Sequence, residues 1–190
     1  YTLCICLHHI AADGVSLTLL LEQISAHYTE QNIDSETPQL QYIDYCQWHA
    51  ERLENSELKC QQLDFWKKQL QGLKPLLPLP TDRPRPASQT TDGECIGLCL
   101  NNEVVTQLKR IASEHNASLY MVLLSAYKLL LSIYSTEQDI AVGTPVLGRS
   151  HPQLDDVFGF FANTVVLRNT INTEATFSQL ITQVKQSTLA

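Results

Sequence analysis

The feature that most restricts this chain is a proline-rich stretch near its middle, KPLLPLPTDRPRPASQTTDG. Five of the eight prolines of the chain lie in it, at positions 75, 78, 80, 84 and 86. Proline removes a backbone donor and breaks helices and central strands, so this segment is predicted to be an extended connector. The chain is therefore predicted to have three parts, namely residues 1–74, the connector at 75–92 and residues 93–190.

Composition restricts the classes of partner. Hydrophobic residues make up 44% of the 190 residues, which is enough for a buried core. The formal net charge is -7, from 13 basic and 20 acidic residues, and no basic run occurs. Nucleic acids and anionic membranes attract basic surfaces, so neither is a predicted partner. No apolar run is long enough to span a bilayer, and the first residues do not read as a signal peptide.

Cysteine usage bears on the compartment. None of the six cysteines forms a C-x-x-C pair, and most fall in predicted apolar strands or on predicted helix faces. We therefore expect buried thiols, a reducing cytoplasmic location and no metal site. A zinc site that uses Cys4, Cys6 and His8 is the alternative, although it would need a fourth ligand. The full set is Cys4, Cys6, Cys46, Cys60, Cys95 and Cys99.

Hydrophobic periodicity predicts both helices and strands. The predicted strands lie at 1–9, 94–100, 139–148 and within 157–171. The predicted helices lie at 17–28, 41–53, 63–73, 103–115 and 119–135, with a last one from about Thr176. This order predicts an α/β fold, a layered α+β sandwich in two lobes. Both ends of the chain read as the interior of a larger domain, because no strand start precedes residue 1 and no helix stop follows residue 189.

The stretch LHHIAADGVSLTLLLEQI carries the candidate chemistry. Alternation along the predicted strand places His8 and His9 on opposite faces. Asp13 opens the following helix, so its carboxylate can lock the loop or hold the His9 imidazole in one tautomer. A neutral imidazole held in that way takes a proton from an attacking amine or hydroxyl. A hydrogen-bonded histidine and a helix-capping aspartate explain the same residues without catalysis. Gly14 permits a sharp turn and the close approach of a substrate.

Several stretches in order resemble the condensation domains of nonribosomal peptide synthetases, in the chloramphenicol acetyltransferase-like superfamily. HHIAADG resembles the motif HHxxxDG, and YIDYCQWHAERL resembles the Y-x-D-[FY]-A-x-W helix. LPLPTDRPRP resembles the L-x-L-P-x-D-x-P-R-P connector. AVGTPVLGR and VFGFFANTVVLR resemble V-G-x-P-x-x-G-R and G-x-F-x-N-T-x-x-x-R. Ala12 and Val15 depart from the Ser and Trp that are common in the family.

The resemblance implies a fold and a reaction. The fold is chloramphenicol acetyltransferase-like, with the end of the first lobe followed by the beginning of the second. The reaction joins an acyl or peptidyl thioester to the amine of an aminoacyl thioester. Both substrates are presented on phosphopantetheine arms of upstream and downstream carrier domains, with an adenylation domain in the same polypeptide. No cofactor and no metal is expected to bind to the chain directly.

The resemblance also implies residue roles. His9 is the active-site histidine, which acts as general base or positions the amine by hydrogen bonding. Asp13 is predicted together with His9 as the catalytic pair, but its role is structural. It is expected to form an ion pair, for which Arg149 is the candidate partner. His8 is mainly structural.

Further residues near the site follow from the same motifs. Gly14 is expected to border the substrate channel, and Asn163 and Thr164 to shape the second lobe near the cleft. Five aromatic residues are expected in the core and not in contact with substrate, namely Trp48, Trp66, Phe158, Phe160 and Phe161.

Alternative functions remain open on the sequence. An epimerisation domain shares HHxxxDG, although the YIDYCQW helix and the proline connector favour condensation. A free-standing acyltransferase that uses coenzyme A would carry a D-F-G-W-G stretch in its plant form, and that stretch does not occur here. A non-catalytic module that docks carrier domains is a further possibility, against which the intact histidine and aspartate argue.

Overall fold

The computed structural model describes residues 2–29, 40–84, 86–88, 90–91 and 93–190. The helices within these ranges are α1 (Gly14–Tyr28), α2 (Tyr42–Glu54), α3 (Ser56–Leu70), α4 (Asn102–Glu114), α5 (Leu119–Ser135) and α6 (Phe177–Leu189). The strands are β1 (Asp139–Val146) and β2 (Asn163–Thr170), and a short 3-10 turn lies at Pro152–Leu154. Helices together with a sheet confirm the predicted α/β class. Positions 85, 89 and 92 of the predicted connector lie outside the described residues.

Polar side chains define where the helices begin. The Asp13 carboxylate accepts a hydrogen bond from the Ser16 amide at 2.9 Å and so caps α1. Without such a cap the first amides of a helix have no partner. The same arrangement begins α4, α5 and α6, where the capping side chains are Asn101, Ser118 and Thr176.

The strands are fewer than the sequence predicts. β1 and β2 form a two-stranded sheet. Ile171 donates to the Gln138 carbonyl at 2.7 Å, which places the end of β2 beside the start of β1, as in an antiparallel pair. The strands predicted at 1–9 and 94–100 are wrong, because residues 2–8 and 94–100 have no regular structure. A strand exists only when its backbone bonds to a neighbouring strand, which alternation cannot supply.

The chain packs as two compact units. One consists of Tyr1–Gln69 and Thr144–Val165, and the other of Leu70–Gly143 and Val166–Ala190. The predicted division at 75–92 places 144–165 in the second part, whereas these residues pack with the first unit. Burial of apolar side chains, more than chain order, determines which segments pack together.

Each unit has its own apolar core. The core of the first unit is formed by Leu154, Val157 and Phe161, against which Leu40, Tyr42 and Tyr45 pack. The second unit has a larger core between α5, α6 and the sheet, formed by Leu124, Ile140, Leu167, Ile171, Leu180 and Val184. The core of the first unit lies directly beneath the candidate site described below.

Several side chains that the sequence places in the core are exposed. Trp48 and Phe158 are 45% and 41% exposed, whereas Phe161 is buried. Cys46 is half-buried and the other five cysteines are exposed, so the prediction of buried thiols is wrong. All six thiols are free. Periodicity identifies the apolar face of an element, but burial also requires a partner for that face.

A fully buried lysine joins three elements of the second unit. Lys128 of α5 donates through Nζ to the Leu167 carbonyl at 2.8 Å and to Asn169 Oδ1. Ser187 of α6 donates to the same Asn169 oxygen at 3.1 Å. Burial lowers the pKa of Lys128 to about 8, because the charged ammonium loses its hydration.

Replacing Lys128 with methionine should flatten the pH dependence of stability between about pH 8 and pH 10.5. In this window the unfolded chain keeps a proton that the folded wild type has released, so wild-type stability rises with pH. Over the whole window, the free energy of unfolding of wild type should rise by about 1–3 kcal/mol more than that of Lys128→Met, as measured by urea unfolding at each pH. Lys109→Met, at an exposed position of α4, is the matched control and should leave the slope as it is. Parallel wild-type and Lys128→Met curves would contradict the prediction.

No single helix in the described ranges has the length and apolar character needed to cross a membrane. The pair α4 and α5 meets the criterion jointly by length and composition, with a bend of 102° between the helices.

Candidate functional site

The Asp13 carboxylate accepts three hydrogen bonds at the candidate site. Its Oδ1 accepts from the Ser16 amide at 2.9 Å and from Arg149 Nη2 at 3.2 Å, and its Oδ2 accepts from the Phe161 amide at 3.1 Å. Burial by itself would raise the pKa of this carboxyl, but the hydrogen bonds together outweigh burial and hold the pKa below its usual value. The ion pair between Asp13 and Arg149 that the resemblance implies is therefore present, with both side chains 4% exposed.

Arg149 is fixed on several sides. Its Nη1 donates to the carbonyls of Leu154 and Val157, the second at 2.7 Å. Its guanidinium lies over the Phe161 ring, 4.1 Å from the centroid, which is a cation–π contact. The preceding residue, Gly148, has a φ of +68°, and a Cβ there would lie 1.9 Å from the Phe161 carbonyl oxygen. The glycine of the LGR stretch is thus required by the backbone.

Ser16 forms a second connection between α1 and the Gly159 loop. Its Oγ donates to the Gly159 carbonyl at 2.7 Å and accepts from the Gly159 amide at 2.9 Å. Arg149 Nη2 also donates to this hydroxyl, at 3.1 Å. Ser16 is absent from the predicted site, because a serine after Asp13 reads as a local capping residue. No signal in the sequence indicates its contact with a residue 143 positions away.

His9 and His8 use their ring nitrogens in opposite ways. His9 Nδ1 lies 2.9 Å from the Ala12 carbonyl oxygen. A carbonyl only accepts, so Nδ1 carries the hydrogen and the neutral ring keeps its lone pair on Nε2. His8 Nδ1 instead accepts from the Ile10 amide at 3.1 Å, so its lone pair is occupied within the local turn. The exposed His9 ring is therefore the one that presents a basic nitrogen, and Nε2 has no hydrogen-bond partner in the described part of the chain.

Asp13 does not hold the His9 imidazole. Its carboxylate oxygens bond to Ser16, Arg149 and Phe161, and the carbonyl that fixes the His9 tautomer belongs to Ala12. Of the two possible roles for the aspartate, the geometry corresponds to locking the loop. Ala12 directly precedes Asp13, so a fixed loop also fixes the carbonyl that accepts from His9 Nδ1.

The other predicted site residues lie in different surroundings. Gly14 is the first residue of α1, and a Cβ added to it would meet nothing within 4 Å. Its conformation does not require glycine. Asn163 is exposed at the start of β2, where its Oδ1 accepts from the Thr164 amide at 2.7 Å. Asn163 and Thr164 both line a cavity of about 810 Å³ whose lining does not include His9.

A metal centre has no basis in the described residues. No group of three or more His, Cys, Asp or Glu side chains in these ranges is arranged to hold an ion. Cys4 and Cys6 are exposed in a segment without regular structure.

The chain is similar to large peptide synthetases. A family model described as the Condensation domain matches residues 1–190. Tyrocidine synthase 3 of Brevibacillus parabrevis is 41% identical over 184 residues, which is 97% of this chain and 3% of that protein. Bacitracin synthase 3 of Bacillus licheniformis is 37% identical over 183 residues, 96% of this chain and 3% of that protein. The chain thus spans only a small part of these relatives.

Solved structures share the fold. The X-domain from teicoplanin biosynthesis superposes with a TM-score of 0.86 at 23% identity, covering 96% of this chain and 42% of that chain. A four-domain nonribosomal peptide synthetase bound to AMP and glycine gives a TM-score of 0.84 at 27% identity, covering 96% of this chain and 14% of that one. Since the family model matches the full chain and the fold is that of solved condensation domains, the chain belongs to the Condensation domain family of nonribosomal peptide synthetases, with a chloramphenicol acetyltransferase-like α/β fold.

Proposed function

We propose that this chain carries the active-site histidine of a domain that forms amide bonds between carrier-bound substrates. The amine of an aminoacyl thioester attacks the carbonyl carbon of an acyl or peptidyl thioester, and a C–N bond forms as the C–S bond breaks. The donor's phosphopantetheine thiol leaves with a proton, and the longer chain remains on the acceptor's carrier. Upstream and downstream carrier domains and an adenylation domain are the proposed partners, as in the multidomain synthetases that the chain resembles.

The observation that carries this proposal is the state of the His9 ring. Nδ1 lies 2.9 Å from the Ala12 carbonyl oxygen, which requires a hydrogen on Nδ1 and places the lone pair of the neutral ring on Nε2 of this exposed residue. Such a nitrogen accepts a proton, or a hydrogen bond, from an attacking amine. His8 lacks this capacity, because its Nδ1 lone pair already accepts from Ile10. His9 is thus the proposed catalytic residue, and Asp13, Arg149 and Ser16 act through the loop that positions it.

Direct transfer is the proposed route. The sequence has no G-x-S-x-G nucleophile elbow, and the neutral imidazole is arranged to assist an amine nucleophile. An amine needs little activation, so Nε2 either accepts the proton of the amine or positions the amine by a hydrogen bond, and both roles use the same contact. The free thiols support a reducing, cytoplasmic site of action.

The test uses the complete condensation domain that contains this chain, with donor and acceptor loaded on their carrier domains. We expect a single turnover to yield a dipeptidyl mass on the acceptor carrier, read by intact-protein mass spectrometry. The reaction is run in deuterated water, so that exchange of the α-proton is detected in the same spectrum. Deuterium uptake without amide formation would indicate an epimerisation domain instead. Binding of the carrier domains without either change would indicate a non-catalytic docking module.

Replacing Gly14 with alanine separates substrate access from folding. A methyl group at this position meets no protein atom within 4 Å, and alanine is the better helix former, so the melting temperature should hold or rise slightly. If a substrate passes close to this backbone, the added methyl group should lower the rate of amide formation by about tenfold, the effect of one badly placed methyl group. Rates and thermal melts of the two proteins measure both effects. An unchanged rate of amide formation would contradict the prediction that Gly14 borders the substrate channel.

A further inference from the structure

We propose that Phe160 is a positioning residue for His9, which fixes the orientation of the imidazole by an edge-to-face contact. This inference rests on the proposed role of His9 in amide formation. The centroids of the two rings lie 5.4 Å apart and their planes are inclined at 87°. Edge-to-face is one of the two favoured geometries of an aromatic pair, in which the positive edge of one ring meets the negative face of the other.

His9 needs such a contact. Its ring is exposed and its hydrogen bond from Nδ1 to the Ala12 carbonyl is a single restraint, which a rotation of the ring about the Cβ–Cγ bond would break. The Phe160 ring supplies the second restraint. With both in place, the exposed imidazole keeps Nδ1 as the donor and Nε2 as the acceptor.

The backbone of Phe160 is held firmly enough to act as a support. On one side, the Gly159 carbonyl accepts from the Asp13 amide at 3.3 Å and from Ser16 Oγ at 2.7 Å. The Phe161 amide donates to Asp13 Oδ2 at 3.1 Å. The residues before and after Phe160 are therefore both bonded to the start of α1, only a few positions after His9.

Tyr42 closes the other side of this loop. Its hydroxyl donates to the Phe160 carbonyl at 2.7 Å. A Cβ on Gly159 would lie 2.2 Å from the Tyr42 ring, so the loop and the ring are in close contact. The Phe160 ring therefore has its position set by the core of the first unit, although the ring itself is half-buried.

The sequence motif does not reveal this role. In G-x-F-x-N-T the fixed positions correspond to Gly159, Phe161, Asn163 and Thr164, and Phe160 occupies an open one. Gly159 and Phe161 serve the packing described above. Phe160 is the member of the loop whose side chain reaches the catalytic ring.

The test compares Phe160→Leu and Phe160→Tyr in the complete condensation domain with loaded carriers. Leucine keeps an apolar side chain but loses the ring, whereas tyrosine keeps the ring. We expect Phe160→Leu to lower kcat about two- to tenfold, the equivalent of one aromatic contact, with KM for the acceptor carrier unchanged. Phe160→Tyr keeps the ring, so its kcat should equal that of wild type. Phe158→Leu, an exposed aromatic position of the same loop, is the matched control and should behave as wild type.

A spectroscopic readout makes the test independent of turnover. In protein with ¹⁵N-labelled histidine, the His9 ring nitrogens should report one tautomer in wild type and Phe160→Tyr, and a mixture in Phe160→Leu. Thermal melts identify any variant that has lost its fold, in which case Phe160→Met replaces the leucine. Wild-type kcat and an unmixed tautomer in Phe160→Leu would overturn the proposal, as would a tyrosine variant that fails like the leucine variant. If wild type forms no amide, the proposed function fails, and the tautomer comparison alone decides the role of Phe160.

Discussion

Replacing Asp13 with alanine in the complete condensation domain should lower the free energy of unfolding by about 3–5 kcal/mol, because it leaves a buried guanidinium without its counter-charge. The carboxylate bonds to Arg149 at 3.2 Å, and both side chains are almost fully buried. It also accepts the backbone amides of Ser16 and Phe161, which would lose their acceptor. Urea unfolding followed by circular dichroism measures the loss, and poor soluble yield is its first sign.

An exposed ion pair on the same chain provides the matched control. Arg110 and Glu114 lie 3.4 Å apart on α4, with side chains 72% and 58% exposed. Glu114→Ala should change stability by less than about 0.5 kcal/mol. Asp13→Ala combined with Arg149→Met should be less destabilised than the sum of the single changes, since no charge is then left unpaired. An Asp13→Ala protein as stable as the Glu114→Ala protein would contradict this account of the site.

The helices and the ion pair could be predicted from the sequence because their causes are local or carried by motifs. Leu17, Leu20 and Leu21 follow helical spacing directly after a capping aspartate, and α1 begins at Gly14 as that cap requires. The pairing of Asp13 with Arg149 follows from two separate motifs, each of which supplies one partner.

The contacts that hold the site together could not be predicted, because their partners are far apart in the chain. Ser16 bonds to Gly159 across 143 positions, and Tyr42 bonds to Phe160 across 118. The alternation over residues 2–8 predicts a strand, but strand formation depends on a neighbour that alternation does not specify. The packing of residues 144–165 with the first unit has the same origin, since Phe161 is buried by Tyr42 and Tyr45.

Replacing His9 with alanine should slow amide formation by about 10²- to 10⁴-fold while leaving the protein folded, because it removes a positioned proton acceptor. The His9 ring is exposed, and its hydrogen bond and ring contact within the described residues are those to Ala12 and Phe160, so stability should change little. His8→Ala is the matched control, an exposed histidine next to it in the chain. Its Nδ1 serves a turn, so its loss should cost stability modestly and leave the chemical step nearly intact.

The most direct test of the central claim is single-turnover amide formation by wild type, His9→Ala and His8→Ala, with the same loaded carrier domains and rapid quenching. The mass of the acceptor carrier gives the rate of the chemical step in each protein. We predict a dipeptidyl product from wild type and from His8→Ala at similar rates, and almost none from His9→Ala over the same time. Equal rates for wild type and His9→Ala would contradict the proposal that the free Nε2 of His9 serves the attacking amine.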